Sequence, residues 1–549
     1  MKNFIKKRKK LCLIILVLVI VVAVVICSSV FNSSEETVNT DLDAEVQEDM
    51  TEEQEEIYDW ILDTVYDVET QSEIYEDLVS QQGEDDYTFD NMLVEYNPFG
   101  TNTLSLYVYF TTEESADVSY TVHVDEDEQE SLELDTTISD FTHEGTTDET
   151  VHEFQVIGLI PDVENEVTFT ITYSDGSTDT NTITYDMGSL LGEEEIALEK
   201  TVESDEELED GLFVVLGNDD YHIDFMYYYD NDGIIRGEVP IIGYRSHRLL
   251  FDDDTMYYSA SETKMAQMNS IGQIVNVFQL ENYKLHHDYV FDDEGNILIL
   301  GTDTRENTQE DVILMLDIES GETVELIDLG DLFPDYKEEI LSINEDAEDI
   351  DWIHINTIQW LGDDTILLSA REVSTIINVT NIYDDPEVSY MLGSEDYWEG
   401  TGYEDLLYSQ SGDFTIQGGQ HTITYVEDDS LEEGQYYLYM FNNNIGISTT
   451  NPDFDWASIG LDISSAAEGE ASYYYEYLVD ENEGTFTLVD SFAVPYSGYV
   501  SSVQNIGSHT VVDSGIPATF GEYDEDHNLI ASFTMSTEKF IYRVYKYEL

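Results

Sequence analysis

The chain has 549 residues, with 18 Lys and Arg against 121 Asp and Glu, for a formal net charge of −103. A surface this acidic repels nucleic acid and anionic lipid headgroups, which excludes a polynucleotide-binding role. The length exceeds one ordinary core, 41% of residues are hydrophobic and 39 are tyrosines set among β-branched residues, so two or three domains built mainly of sheet are expected.

In chain order, Lys2, Lys6, Lys7, Arg8, Lys9 and Lys10 precede an uncharged apolar run from Leu11 to Phe31. A run of about 20 residues spans a bilayer as a helix, and a basic flank stays in the cytoplasm. The expectation is a cytoplasmic tail (1–10), a single-pass signal anchor (11–31) and an extracellular remainder. A cleaved signal peptide is the rival reading, but no small-x-small cleavage site follows the run. Ile26 stands where a lipoprotein site at Cys27 would need a small residue. Cys12 and Cys27 are the only cysteines, so the outer part has no disulfide. Two readings of the acidity stay open: adaptation to high salt, where screening removes self-repulsion, and solubility alone.

Residues 32–86 read as an acidic linker with a short helix, since Ile57, Trp60, Ile61, Val65, Val68, Ile74 and Leu78 fit a helical period. Residues 87–190 alternate apolar and polar, as in Leu104, Leu106, Val108 and Phe110, or Val118, Tyr120, Val122 and Val124. About seven short strands here predict a β-sandwich. A second acidic linker covers 191–210. From 211 to 549 the chain repeats a turn followed by an apolar strand, as in Glu294-Gly295-Asn296-Ile297-Leu298-Ile299-Leu300 and Asp363-Asp364-Thr365-Ile366-Leu367-Leu368-Ser369. The fold class expected is all-β: a six-bladed β-propeller behind a small β-sandwich, with an N-terminal transmembrane helix.

Four histidines stand in unusual contexts near strand starts: His286-His287-Asp288, Asp351-Trp352-Ile353-His354-Ile355-Asn356 and Gln420-His421. Such starts face the central funnel of a propeller. Arg371 follows one such strand, and beyond the first ten residues the only other arginines are Arg236, Arg245, Arg248, Arg305 and Arg543. An anionic substrate needs a local cationic cluster to invert the field of so acidic a body, and imidazole is a competent nucleophile and acid–base group. Taken singly, each histidine reads as a structural residue; the set is what points to a site. Several histidines could also hold Zn or Cu, but the spacings are not those of a compact metal motif. His123, His143, His152, His222, His509 and His527 read as surface or structural.

The segments Asn97-Pro98-Phe99-Gly100-Thr101-Asn102-Thr103-Leu104 and Val156-Ile157-Gly158-Leu159-Ile160-Pro161 resemble the N-terminal β-domain of bacterial aryl-sulfate sulfotransferases, and the His-His-Asp, Asp-Trp-x-His-x-Asn, strand-to-Arg and Gln-His elements follow in the order of that family's propeller. The resemblance covers about 87–549. It implies sulfuryl transfer from aryl sulfates to phenols by a ping-pong cycle, with neither PAPS nor metal as cofactor. It implies His421 as the nucleophile, His354 and Asn356 as an H-x-N pair, Arg371 as the sulfate-binding arginine and His287 or His286 as a further active-site histidine. Ser501 or Ser502 would supply a hydroxyl. No Gly-rich phosphate loop is present, which fits a donor other than PAPS. Subunit pairing into a homodimer through the β-domain is a further expectation. A non-catalytic propeller binding sulfated or aromatic ligands and a sulfate-ester hydrolase remain alternatives.

Overall fold

The computed structural model describes residues 50–549, apart from 135, 218–222, 244, 345, 346 and 538. The expected anchor at 11–31 lies outside the described residues, as does His222. Among the described residues no helix is long and apolar enough to cross a membrane.

The periodic apolar residues near the start do form helix, but in pieces. Helix α1 (Glu52–Trp60) runs into a π-helical turn at Ile61–Val65, and α2 (Val68–Gln82) begins again after Asp67. The Asp67 carboxylate accepts from the Thr70 N–H at 2.8 Å, satisfying one of the donors a helix start leaves open. This segment packs against the rest of the chain. Ile61 and Val65 are buried, and the Tyr66 hydroxyl donates to the Pro240 carbonyl at 2.7 Å. Gln71 is fully buried: its amide donates to Thr64 O (2.8 Å) and Phe99 O (2.7 Å), and its oxygen accepts from Ile274 N–H at 3.1 Å. The helical pair therefore ties the β-domain to the sheets that follow. Gly100, at φ +77°, admits it, because a Cβ there would lie 2.6 Å from the Trp60 ring.

The β-domain is built on one 18-residue strand, Leu106–His123. Its first half pairs antiparallel with Leu93–Tyr96 and Glu149–Val156, and its second half with Phe141–Glu144 and Glu164–Tyr173. Thr178–Asp186 completes six strands. The alternation seen in sequence is the burial pattern, with Val118, Tyr120 and Val122 inward.

Six further sheets of four or five strands follow in succession, giving a propeller-like all-β architecture. Counted from one edge, the first strands of the second to sixth sheets are Leu250–Asp252, Tyr283–Phe291, Ile355–Gly362, His421–Val426 and Ser502–Ile506; Ser409–Gln410 precedes His421–Val426 in the chain but lies at the opposite edge of the fifth sheet. From the third sheet on, these first strands lie against one another in order, and the sixth sheet's touches Val544–Tyr547. That C-terminal strand pairs with Leu212–Val215 and so completes the first sheet. The second acidic stretch is not only a linker: Glu199–Val202 pairs with Leu529–Thr534 and completes the last sheet. Both ends of the region are thus zipped into its own sheets.

Gln71→Leu keeps the size of a buried side chain and strands three backbone groups. We expect a loss of about 1–3 kcal/mol in stability, read by denaturant unfolding, whereas a surface change such as Glu73→Gln leaves the midpoint unmoved.

Candidate active site

The groups that carry charge and imidazole cluster where the first strands of the sheets begin. Arg245 and His247 precede the second sheet, His286 and His287 open the third, His354 precedes the fourth, His421 opens the fifth, Ser501 precedes the sixth, and Tyr542 and Arg543 precede the closing strand of the first. The strand starts are kinked. His287 (φ 60°), His354 (φ 52°), Thr422 (φ 49°) and Ser501 (φ 89°) all hold the left-handed conformation that glycine normally takes. Such residues cost of order 1–3 kcal/mol each and concentrate at functional sites. The pairing of Tyr283–Phe291 with its neighbour skips between Leu285 and Tyr289, and that bulge holds both histidines.

The predicted residues do come together. The His287 and His354 rings are 4.7 Å apart, and His286 and His287 5.0 Å. Arg371 sits across a hairpin from His354, its N–H donating to the His354 carbonyl at 2.9 Å, while its guanidinium lies 3.4 Å from Asp351 Oδ2. Asn356 is fully buried, and its amide donates to the carbonyl of Gln420, the residue before His421, at 2.9 Å. Ser501 Oγ accepts from Gly515 N–H at 3.0 Å. The Ser502 hydroxyl is engaged by the backbone of Val544 on both sides, donating to its carbonyl at 2.9 Å and accepting from its N–H at 3.1 Å.

His421 is oriented by Asn443, a residue that sequence reasoning missed. The Asn443 amide nitrogen donates to Ser497 O (2.9 Å) and Val500 O (3.1 Å), which turns its oxygen toward His421. His421 Nδ1 lies 2.8 Å from that oxygen and 3.0 Å from Gly419 O. Both neighbours are acceptors, so Nδ1 carries the proton and Nε2 the lone pair. Burial, with the charges of Arg371, His354 and Arg543, pulls His421 well below the usual histidine range despite Asn443, keeping the ring neutral.

His354 is the opposite case. Its Nδ1 lies 2.5 Å from both Asp351 Oδ2 and Glu310 Oε2. Burial and Arg371 pull it down, but the two carboxylates outweigh them and push it up to about 10. Asp351 is pushed up to about 7 by burial and by Glu310, against the pull of His354 and Arg371. His287 meets Glu310 Oε2 at 3.0 Å through Nε2 and the Tyr542 hydroxyl at 2.8 Å through Nδ1, and burial pulls it well below the histidine range. Burial lowers His286 as well. The arrangement holds one charged imidazole beside neutral ones, the separation of protonation states on which acid–base work depends.

Glu310, Tyr542 and His247 also escaped the sequence reading. The His247 ring is 6.4 Å from His287 and 5.4 Å from Tyr542, and Arg245 lies 4.0 Å over the Tyr542 ring. Two sets, His286–His287–Glu310 and Glu310–Asp351–His354, have the spacing of metal donors, one atom of each residue lying within 4.8 Å of the others. In the second set, the nitrogen and oxygens already meet at hydrogen-bond distance. Of the histidines assigned to the surface or structure, His123 pairs with Asp140 at 2.6 Å and His509 with Glu522 at 2.6 Å.

A cluster of imidazole and guanidinium at the convergence of six sheets, in a body of charge −103, defines an all-β protein whose site can accept an anion. The chain belongs to the arylsulfotransferase family: residues 198–545 match the model of arylsulfotransferase (ASST), and residues 93–188 match that of the arylsulfotransferase Ig-like domain. No curated protein matches the chain. Similar solved structures include putative 6-phosphogluconolactonases of Bacteroides fragilis (11% identity, TM-score 0.34, covering 70% of this chain and 94% of that one) and Bacteroides uniformis (12%, 0.32, 68% and 93%).

The charge on His354 ties stability to pH. A histidine raised to about 10 in the fold contributes fully below its unfolded value of about 6.5 and loses that contribution as pH rises toward 10. The melting-temperature gap between wild type and His354→Gln is therefore expected to be widest near pH 6 and to narrow toward pH 10. A gap independent of pH would contradict the assignment.

Proposed function

We propose that the chain moves a sulfuryl group from an aryl sulfate to a phenol in a ping-pong cycle through His421, at the funnel of a six-bladed propeller. The observation that carries this reading is the fixed tautomer of His421: a neutral, buried imidazole with its lone pair on Nε2, beside the cations Arg371 and His354. Sulfuryl transfer resembles phosphoryl transfer, in which charge sits on the equatorial oxygens and catalysis is positioning plus electrostatics.

In the first half-reaction Nε2 of His421 bonds to sulfur as the S–O(aryl) bond breaks, and the leaving phenolate takes the proton from Nε2 of His354. Nδ1 of His354 keeps its proton against Asp351 and Glu310. In the second, the hydroxyl of the acceptor phenol attacks sulfur, its proton returns to His354, and the N–S bond breaks. Arg371 draws the sulfate oxygens, and Asn356 holds the Gln420 carbonyl and so the strand that carries His421. No nucleotide and no metal is needed in these steps. The basic flank and apolar run at the N-terminus support a further proposal, that the enzyme works outside the cell on a membrane anchor.

The test follows 4-nitrophenol release from 4-nitrophenyl sulfate with chelator present and PAPS absent. Release is expected to rise markedly when a second phenol is added. Release indifferent to the phenol would mark a hydrolase, and none at all a binding protein. His421→Asn should lower transfer by about three orders of magnitude or more, since it removes the covalent step. Arg371→Lys should cost about 100-fold, because an ammonium lacks the planar two-pronged donor.

A further inference from the structure

A single carboxylate serves two of the site's imidazoles. Glu310 lies in the turn between the strands Ile297–Asp303 and Val312–Leu316 of the third sheet, where nothing in the local sequence distinguishes it. The turn is anchored on both sides: the Glu310 N–H donates to Thr302 Oγ1 at 2.8 Å, and the Glu310 carbonyl accepts from Ile355 N–H, the residue after His354, at 3.1 Å. Its Oε2 is thereby held 3.0 Å from His287 Nε2 and 2.5 Å from His354 Nδ1.

We infer that Glu310 is a positioning residue that fixes the proton-bearing nitrogen of both His287 and His354, and that Tyr542, Glu310 and the His287 ring between them act as one hydrogen-bonded relay. An ionised carboxylate only accepts, so each nitrogen facing it carries the proton. For His287 this leaves Nδ1 with the lone pair, and the Tyr542 hydroxyl, 2.8 Å away, donates to it. For His354 it turns Nε2 to the reaction. The two histidines depend on Glu310 unequally. Asp351 Oδ2 gives His354 Nδ1 a second acceptor at 2.5 Å, whereas Glu310 is the acceptor that meets His287 Nε2. With Gln at 310 the amide can present its N–H₂ to His287, move the imidazole proton to Nδ1 and reverse the bond to Tyr542. The same logic holds wherever a carboxylate sets the tautomer of a working histidine.

This inference rests on the sulfuryl-transfer reading, and its test separates the two. On the full chain, with 4-nitrophenyl sulfate and a phenol acceptor, Glu310→Gln is expected to lower kcat by about 10- to 100-fold while the donor KM changes less than about threefold. Glu310→Asp should recover part of the loss. Tyr542→Phe should lower kcat as well, and the double variant Glu310→Gln/Tyr542→Phe should be no slower than Glu310→Gln alone, since the relay is already broken. Near-normal kcat in Glu310→Gln, or losses that multiply in the double variant, would overturn the relay while leaving the transferase reading intact. A stoichiometric divalent metal in the purified wild type that Glu310→Gln lacks would also overturn it, because the carboxylate would then be a ligand. If Glu310→Gln does not fold, the Tyr542→Phe result decides: unchanged kcat rejects the relay. Absence of transfer in the wild type itself is the failure of the underlying reading.

Discussion

The ion pair between Asp288 and Arg543 is the constraint on which the site depends. Both side chains are fully buried and meet at 3.0 Å. Asp288 also accepts from Ile358 N–H at 3.2 Å and lies 3.0 Å from Arg248, while Arg543 donates to the Asn356 carbonyl at 2.9 Å. One pair therefore joins the third sheet, the fourth sheet and the strand that closes the first. Taking two charges out of water is costly, and a buried pair is weak evidence for stability by itself. Its consequence here is placement. Asp288 follows His287 and Arg543 follows Tyr542, so pinning one pair brings the other pair to 2.8 Å.

Charge is the second organising quantity. A body of −103 cannot hold a sulfate ester by its average field. The site counters that field with a few cations in low dielectric, where each acts far more strongly than in water. Arg371 and the protonated His354 face the neutral His421, and the carboxylates Asp351 and Glu310 are answered by imidazoles rather than left open. Charge keeps His354 protonated; burial and a fixed tautomer keep His421 neutral, with its lone pair on Nε2.

Much of this was legible in the residues. The His-His-Asp, Asp-Trp-x-His-x-Asn and Gln-His elements are short and local, and each sits at a strand start that alternation and turn residues reveal. Glu310, Asn443 and Tyr542 were not legible: each acts through a partner 22 or more positions away, as Asn443 does on His421, and no local pattern marks it. The segment before the β-domain shows the same limit. Its helical period is visible, but the break at Asp67 is a capping event, and its docking runs through the polar, buried Gln71, which a reading by hydrophobicity assigns to solvent. Glu199–Val202 was hidden in acidic sequence because an edge strand needs only one paired side.

In the proposed cycle His421 carries the sulfuryl group. The most direct test mixes the purified enzyme with an aryl sulfate donor in the absence of acceptor, quenches it, and maps the adduct by peptide mass. One SO₃ group is expected on His421, and it disappears when a phenol is added. An adduct on another residue, or none while transfer to phenol proceeds at full rate, would contradict it.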